Sequence, residues 1–172
     1  MYFTIARGSG AGPHNGDMPL KVVNREAALC IFRHEGHFLV AEIVDPHDGH
    51  TLHRPPGGGI EAGETPEQAV RRELAEELAI DLTNVTLLGT IEHVWYWKSR
   101  ELRERAWIFL ADRSDDPRLI RGELPELLEA DGLRQRTLWR PVAGAEALPP
   151  LCPVGLDALL LDRPEAYPTT CQ

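Results

Sequence analysis

Five of the eight ionisable side chains in the stretch GGIEAGETPEQAVRRELAEELAI, which runs from Gly58 to Ile80, could do chemistry together: Glu64, Arg72, Glu73, Glu76 and Glu77. Glu73, Glu76 and Glu77 stand at i, i+3 and i+4, a spacing that puts side chains on one face of an α-helix. Like charges so placed repel by roughly 0.2–0.5 kcal/mol per pair. They also fall in the later half of the helix, where the dipole disfavours anions. A divalent cation among them would turn repulsion into attraction, and a hard ion such as Mg²⁺ takes oxygen ligands. A solvated acidic face is the plainer reading of a Glu-rich helix. The glycines of PPGGGIEAGE tell against it, because they let the backbone turn tightly and approach a ligand just before Glu64.

The helix that carries these groups has a legible start. Thr65 reads as its N-cap, Pro66 as the first helical position, and Gln68 as the partner in a T-x-x-Q capping box. Val70, Leu74 and Leu78, with Ala69 and Ala75 beside them, form an apolar stripe for a core, so the carboxylates point elsewhere. Strands are expected at Asn24 to Phe32, Phe38 to Val44, Thr51 to His53, Val85 to Trp97, Arg105 to Ala111 and Arg136 to Arg140. His34 to His37 reads as the turn of a hairpin and Lys98 to Arg103 as a polar turn. Glu123 to Gly132 reads as a helical or irregular connection and Pro153 to Leu161 as a final helix.

Gly58, Glu64, Arg72-Glu73-Leu74, Ala75, Glu76-Glu77, Leu78 and Ile80, at these offsets, resemble the signature box of the Nudix hydrolase family. The resemblance is strong in the box and weak in the flanking strands, over residues 20–162. The family pattern has glycine where this chain has Ala79, at the helix C-terminus, where a left-handed alanine costs about 1 kcal/mol. The resemblance implies an α/β fold, an α/β/α sandwich around a mixed β-sheet. It implies Mg²⁺- or Mn²⁺-dependent hydrolysis of a phosphoanhydride bond in a nucleoside diphosphate linked to another moiety, with nucleoside triphosphates and dinucleoside polyphosphates foremost. A nucleotide-binding regulatory module on the same fold is the alternative; the presence of all four box carboxylates favours the enzyme.

Carried over residue by residue, the resemblance makes Glu73 and Glu77 the main metal ligands and Glu76 a third that ligates or bridges. Glu64 would support the metal or its waters, and Arg72 would orient the glutamates. A general base is sought in the box, at Glu76 or Glu64, or outside it at Glu104, Glu123, Glu126 or Glu129. Substrate contacts are expected from Gly58 and Gly59 in the turn, from Arg54 ahead of it, and from Tyr96, whose place resembles the dinucleoside-polyphosphate branch of the family. Gly57 shapes the same turn. Arg100, Arg103 and Arg105 are further candidates for a non-reacting phosphate. Strand alternation puts Trp95 and Trp97 on one face and Tyr96 on the other.

Composition sets the frame. The chain has 172 residues, one ordinary domain, and a net charge of −9. Such acidity argues against a general nucleic-acid surface and for a cation between protein and an anionic phosphate. Cys30, Cys152 and Cys171 are odd in number and scattered, which suits reduced thiols in the cytoplasm. No apolar run reaches membrane-span length and the N-terminus lacks a hydrophobic signal core. Residues 1–19 read as a flexible arm, with Met18 an alternative start, and 163–172 as a C-terminal tail. His47, His50 and His53 read as exposed loop histidines rather than a zinc site. The expected partner is a small-molecule nucleotide; a homodimer is compatible, since dimers are common in the family.

Overall fold

Alternating apolar residues in the expected strands do bury two opposite faces, and a helix covers each. A computed structural model describes residues 21–45, 49–97, 100–111, 116–121, 123–128 and 132–162, without the side chains of Tyr96 and Trp97. The elements run β1 (Lys21–Ile31), β2 (Arg33–His34), β3 (His37–Val44), β4 (Thr51–Arg54), β5 (Gly57–Gly59), α1 (Pro66–Leu78), β6 (Val85–Trp97) and β7 (Arg100–Ala111). There follow α2 (Pro117–Ile120), β8 (Leu127–Leu128), β9 (Arg134–Gln135), β10 (Thr137–Pro141) and α3 (Leu156–Leu161). The main sheet has the order β5-β1-β7-β6; β1 and β7 are parallel and the other neighbours antiparallel. A second sheet has the order β10-β3-β2, with β4 also pairing β3.

One face of the strands meets α1. Ala28, Cys30 and Phe32, Leu39 and Ala41, and Phe109 and Ala111 pack there against Ala69, Val70, Leu74 and Leu78. The intervening residues Leu29, Ile31, Phe38, Val40, Ala106 and Ile108 face the other way, onto Leu156, Leu159 and Leu160 of α3. The period-2 switch of side-chain direction thus divides one set of strands between two cores. This is the α/β/α sandwich around a mixed sheet.

The α1 start is as expected: the Thr65 hydroxyl accepts from Gln68 N–H at 3.2 Å and the Gln68 side chain accepts from Thr65 N–H at 2.8 Å. At the other end Ala79 takes the left-handed conformation, φ 54° and ψ 43°, and Ile80 N–H reaches back to Leu74 O at 3.0 Å. The exit geometry that glycine would favour is therefore kept, with alanine bearing the strain. Ala79→Gly should raise stability by about 1 kcal/mol, read as a shift in the urea midpoint with unchanged slope. The last turn is also tied from outside. Arg118 donates to Leu78 O at 2.7 Å, and Arg71 donates to Leu82 O. Cations suit that end of the dipole.

Several expectations change. β7 begins at Arg100, so the polar turn expected at Lys98 to Arg103 is mostly strand; Lys98 lies outside the described residues. Its charged first half hides an alternation in which Leu102 and Glu104 are the buried members. The connection from Glu123, read as helical or irregular, holds the two-residue strand β8, which pairs β9 beyond Gly132, and the last helix starts at Leu156, after the positive-φ Gly155. His53 is a buried β4 residue, and its Nδ1 lies 2.7 Å from Arg140 Nη1; His50 is exposed as expected. The arm 1–19, the tail 163–172, His47, Glu129 and Cys171 lie outside the described residues.

Candidate active site

Arg72 is the centre of the box. Its Nε donates to Glu64 Oε1 at 2.7 Å and its Nη2 to Glu64 Oε2 at 3.1 Å, a two-pronged grip. Nη1 donates to Glu73 Oε1 at 3.0 Å and to Glu76 Oε2 at 3.2 Å, and Nη2 donates to Gly59 O at 3.0 Å. One guanidinium therefore gathers three of the four box glutamates and fastens them to the glycine turn. The Glu64 hydrogen bonds are the main reason that Arg72 is held protonated beyond its ordinary range. In return, Arg72 and the Glu61 N–H, 2.9 Å from Glu64 Oε2, hold the Glu64 carboxyl below its usual value. Glu77 is half-buried on the same helix, and Glu76 is the most open at 62% side-chain exposure.

The glycines have separate tasks. Gly57 has φ 123°, and a Cβ there would lie 2.3 Å from Ala28 O. Only glycine fits between turn and strand. Gly58 abuts chemistry instead: a Cβ on it would fall 2.4 Å from Glu73 Oε1. The carboxylate can swing away, so Gly58→Ala should change stability by less than about 1 kcal/mol while misplacing Glu73. We expect kcat for the activity proposed below to fall about 10–100-fold; Gly57→Ala, opposed by backbone, should mainly lower the melting temperature.

The donor set suits a hard cation. The ionisable groups meeting Arg72 are carboxylates, and Gly58 leaves the Glu73 carboxylate pressed against bare backbone. Among the described residues, no three His, Cys, Asp or Glu side chains are grouped to hold a metal ion directly. Glu64, Glu73 and Glu76 meet instead at the Arg72 guanidinium.

Beside the box loop lies an open cleft of about 1100 Å³, bounded by Gly59, Ile60, Glu61 and Glu64 on one side. The outer halves of β1, β6 and β7 form the other side. Arg105 lies there between Glu92, at 2.7 Å, and Glu26, at 3.4 Å. Among the other arginine candidates, Arg103 pairs with Glu101 at 2.8 Å, and Arg100 is exposed at the start of β7.

Glu104 and Arg54 occupy positions different from those expected of a base and a phosphate ligand. The Glu104 side chain is 0% exposed. Its Oε1 accepts from Arg54 Nη2 at 2.8 Å and lies 3.0 Å from His93 Nε2, while Oε2 lies 2.9 Å from Arg25 Nε. Burial opposes its ionisation, but Arg54, His93 and Arg25 outweigh it and hold the carboxyl at about 2. A carboxylate so engaged and so acidic is a poor proton acceptor. Arg54, likewise buried, spends its other terminal nitrogen on Cys152 Sγ at 3.1 Å and lies 5.3 Å from the Trp95 ring centre. Burial pushes the Cys152 thiol up to about 11. Glu123 pairs with Arg121 at 2.6 Å and Glu126 with Arg134 at 3.0 Å, both on the surface. The side chain of Tyr96 lies outside the described residues.

Sequence reasoning did not single out Arg25 or His93. Register explains both: Arg25, Glu104 and His93 face one another across β1, β7 and β6. His93 and Trp95 share a strand face at i, i+2, and their rings stack with centres 6.4 Å apart. Strand alternation could have flagged His93; the parallel pairing that brings Arg25 in was not readable.

The comparison with known families agrees with the box. The model of the NUDIX domain matches residues 23–152, most of the chain. The chain belongs to the Nudix hydrolase family. Within this family, an 8-oxo-dGTP diphosphatase from Proteus vulgaris is 40% identical over 76 residues, 44% of this chain and 67% of that protein. An RNA pyrophosphohydrolase from Photobacterium profundum is 35% identical over 102 residues, 51% of this chain and 56% of that protein. The chain thus spans about half to two thirds of the length of these relatives. Among solved structures, the MutT protein from Methanosarcina mazei Go1 superposes with a TM-score of 0.53 at 15% identity, covering 85% of this chain and 95% of that one. The E. coli ORF135 protein gives 0.51 at 23% identity, covering 88% and 96%. These two show that the Nudix hydrolase fold is shared. Among the described residues no helix is long and apolar enough to cross a membrane.

Proposed function

We propose that the chain is a Mg²⁺-dependent pyrophosphohydrolase, with Mn²⁺ as a substitute, acting on a nucleoside triphosphate or dinucleoside polyphosphate. The observation that carries this reading is the gathering of Glu64, Glu73 and Glu76 around Arg72 at the glycine turn. Glu73 and Glu77 would hold the cation. Once bound, it would neutralise pyrophosphate oxygens and lower the pKa of a water. Arg72 fixes the direction of the carboxylates, and Glu64 clamps the loop Glu61–Glu64 to the helix through it. Gly58 and Gly59 keep backbone low enough for a phosphate to approach. Glu76, the most exposed box carboxylate, takes the proton as water attacks phosphorus and the bond to the departing phosphate oxygen breaks.

The names of the two relatives give a nucleoside triphosphate and an RNA as substrates. The net charge of −9 favours the small nucleotide, because a long polyanion needs a basic track. The test is product release from a panel, with and without Mg²⁺: nucleoside triphosphates including 8-oxo-dGTP, dinucleoside polyphosphates, ADP-ribose, NADH and nucleotide sugars. Mg²⁺-dependent turnover of a triphosphate or dinucleoside polyphosphate is expected. Tight binding without turnover would instead make the chain a nucleotide-binding module.

A further inference from the structure

We propose that Arg25 binds a non-reacting phosphate of the substrate, and that the buried Glu104 carboxylate aims it there. The argument begins with charge. Glu104 is one carboxylate facing two guanidiniums, Arg54 and Arg25. The two guanidiniums outnumber the one carboxylate between them, while Glu26, Glu61, Glu64 and Glu92 line the rest of the cleft. Of the two cations, Arg54 is sealed inside at 7% side-chain exposure, whereas Arg25 is 35% exposed. Of the two guanidiniums that Glu104 holds, Arg25 is therefore the one that reaches the cleft.

Geometry gives that guanidinium a direction. Arg25 meets Glu104 through Nε, and among the described residues its terminal nitrogens donate to no protein acceptor. They form the outward edge of a fork suited to phosphate oxygens. A Cβ on Gly59 would lie 4.0 Å from Arg25 Nη2 and would meet nothing else within 4 Å. The carbonyl of that same Gly59 is held by Arg72. Gly59 therefore has the box arginine on one side and Arg25 on the other, one residue beyond the Gly58 that abuts Glu73. One strand residue spans about 3.3 Å, so the two positions lie within reach of one polyphosphate chain.

The support is rigid. Arg25, Glu104 and His93 are consecutive members of one cross-strand row. His93 Nε2 and Arg54 Nη2 hold Glu104 Oε1 from two sides, which leaves Oε2 directed at Arg25. The 2.9 Å ion pair with Glu104 restrains the Arg25 guanidinium, so it loses less rotamer freedom when it grips an anion. Arg25 touches phosphate that does not react, so it should act on binding more than on chemistry.

The inference rests on the polyphosphate reading above, but its test does not require turnover. The probe is inorganic tripolyphosphate with Mg²⁺, titrated calorimetrically into the full chain. Arg25→Gln should weaken binding at least tenfold with the melting temperature within a few degrees of native. Arg25→Lys, which keeps charge but loses the fork, should fall between the two. With a nucleotide substrate, KM should rise by the same factor while kcat moves less than threefold. Failure of the native chain to bind tripolyphosphate would overturn the proposal, as would unchanged affinity in Arg25→Gln, or a loss confined to kcat. If Arg25→Gln does not fold, Arg25→Lys decides on the same criteria. If the native chain binds tripolyphosphate and hydrolyses no nucleotide, and Arg25→Gln loses that binding, this site stands and the hydrolase is rejected.

Discussion

Glu73→Gln and Glu77→Gln are each expected to lower Mg²⁺-dependent kcat by about 10²–10⁴-fold, equivalent to roughly 3–5 kcal/mol of barrier. Each replaces a carboxylate by an amide of the same shape, so packing should be preserved. The stability effect should run the other way or vanish. Removing one negative charge relieves i, i+3 and i, i+4 repulsion among Glu73, Glu76 and Glu77, roughly 0.2–0.5 kcal/mol per pair. Arg72 already offsets part of that repulsion through Glu73 and Glu76, so the gain should be small. The pair of measurements is kcat at saturating Mg²⁺ and nucleotide, and the melting temperature without Mg²⁺. Activity within a few-fold of native in both variants would remove these residues from the metal site.

Glu104→Gln should be the most damaging conservative change to the fold. It leaves the buried Arg54 and the adjoining Arg25 facing an uncharged amide, and an uncompensated buried charge costs about 3–5 kcal/mol. The acid dependence gives a second signature. Glu104 titrates at about 2 in the folded chain against an ordinary 4.5, a difference worth about 3 kcal/mol. Because the folded value is the lower one, this stability is fully present above pH 4.5 and drains away as pH falls from 4.5 towards 2. Urea unfolding at pH 7, 4 and 3 should show the native chain well ahead at pH 7 and the gap to Glu104→Gln closing at pH 3. A gap that is constant with pH would mean that Glu104 acts through packing and not through charge.

The sequence was most informative where local rules suffice. The capping box at Thr65 and Gln68, the Val70-Leu74-Leu78 stripe and the limits of β6 can each be read from neighbours in the chain. The carboxylates on the helix were visible for the same reason. What stayed hidden depends on long-range pairing. Glu104 reads in the sequence as a candidate base at the start of a strand, because its three partners lie on β1, β4 and β6, remote in sequence. Arg54 was expected to face a phosphate and faces Glu104 instead. The first half of β7 reads as a turn in the sequence, since RELRER carries charge where a strand core would carry apolar groups. A buried polar row defeats any reading that equates burial with hydrophobicity. Ala79 marks the opposite case, a residue that departs from the local preference while the backbone keeps its course.

The box helix is fastened at both ends, by Arg72 to the Gly59 carbonyl at its entrance and by Arg118 to the Leu78 carbonyl at its exit. Mechanically, that makes it a fixed anvil. Changes in the outer halves of β1, β6 and β7 can alter what is held against it without tilting it. Substrate preference on this scaffold can therefore drift through the rim while the hydrolytic machinery stays in alignment.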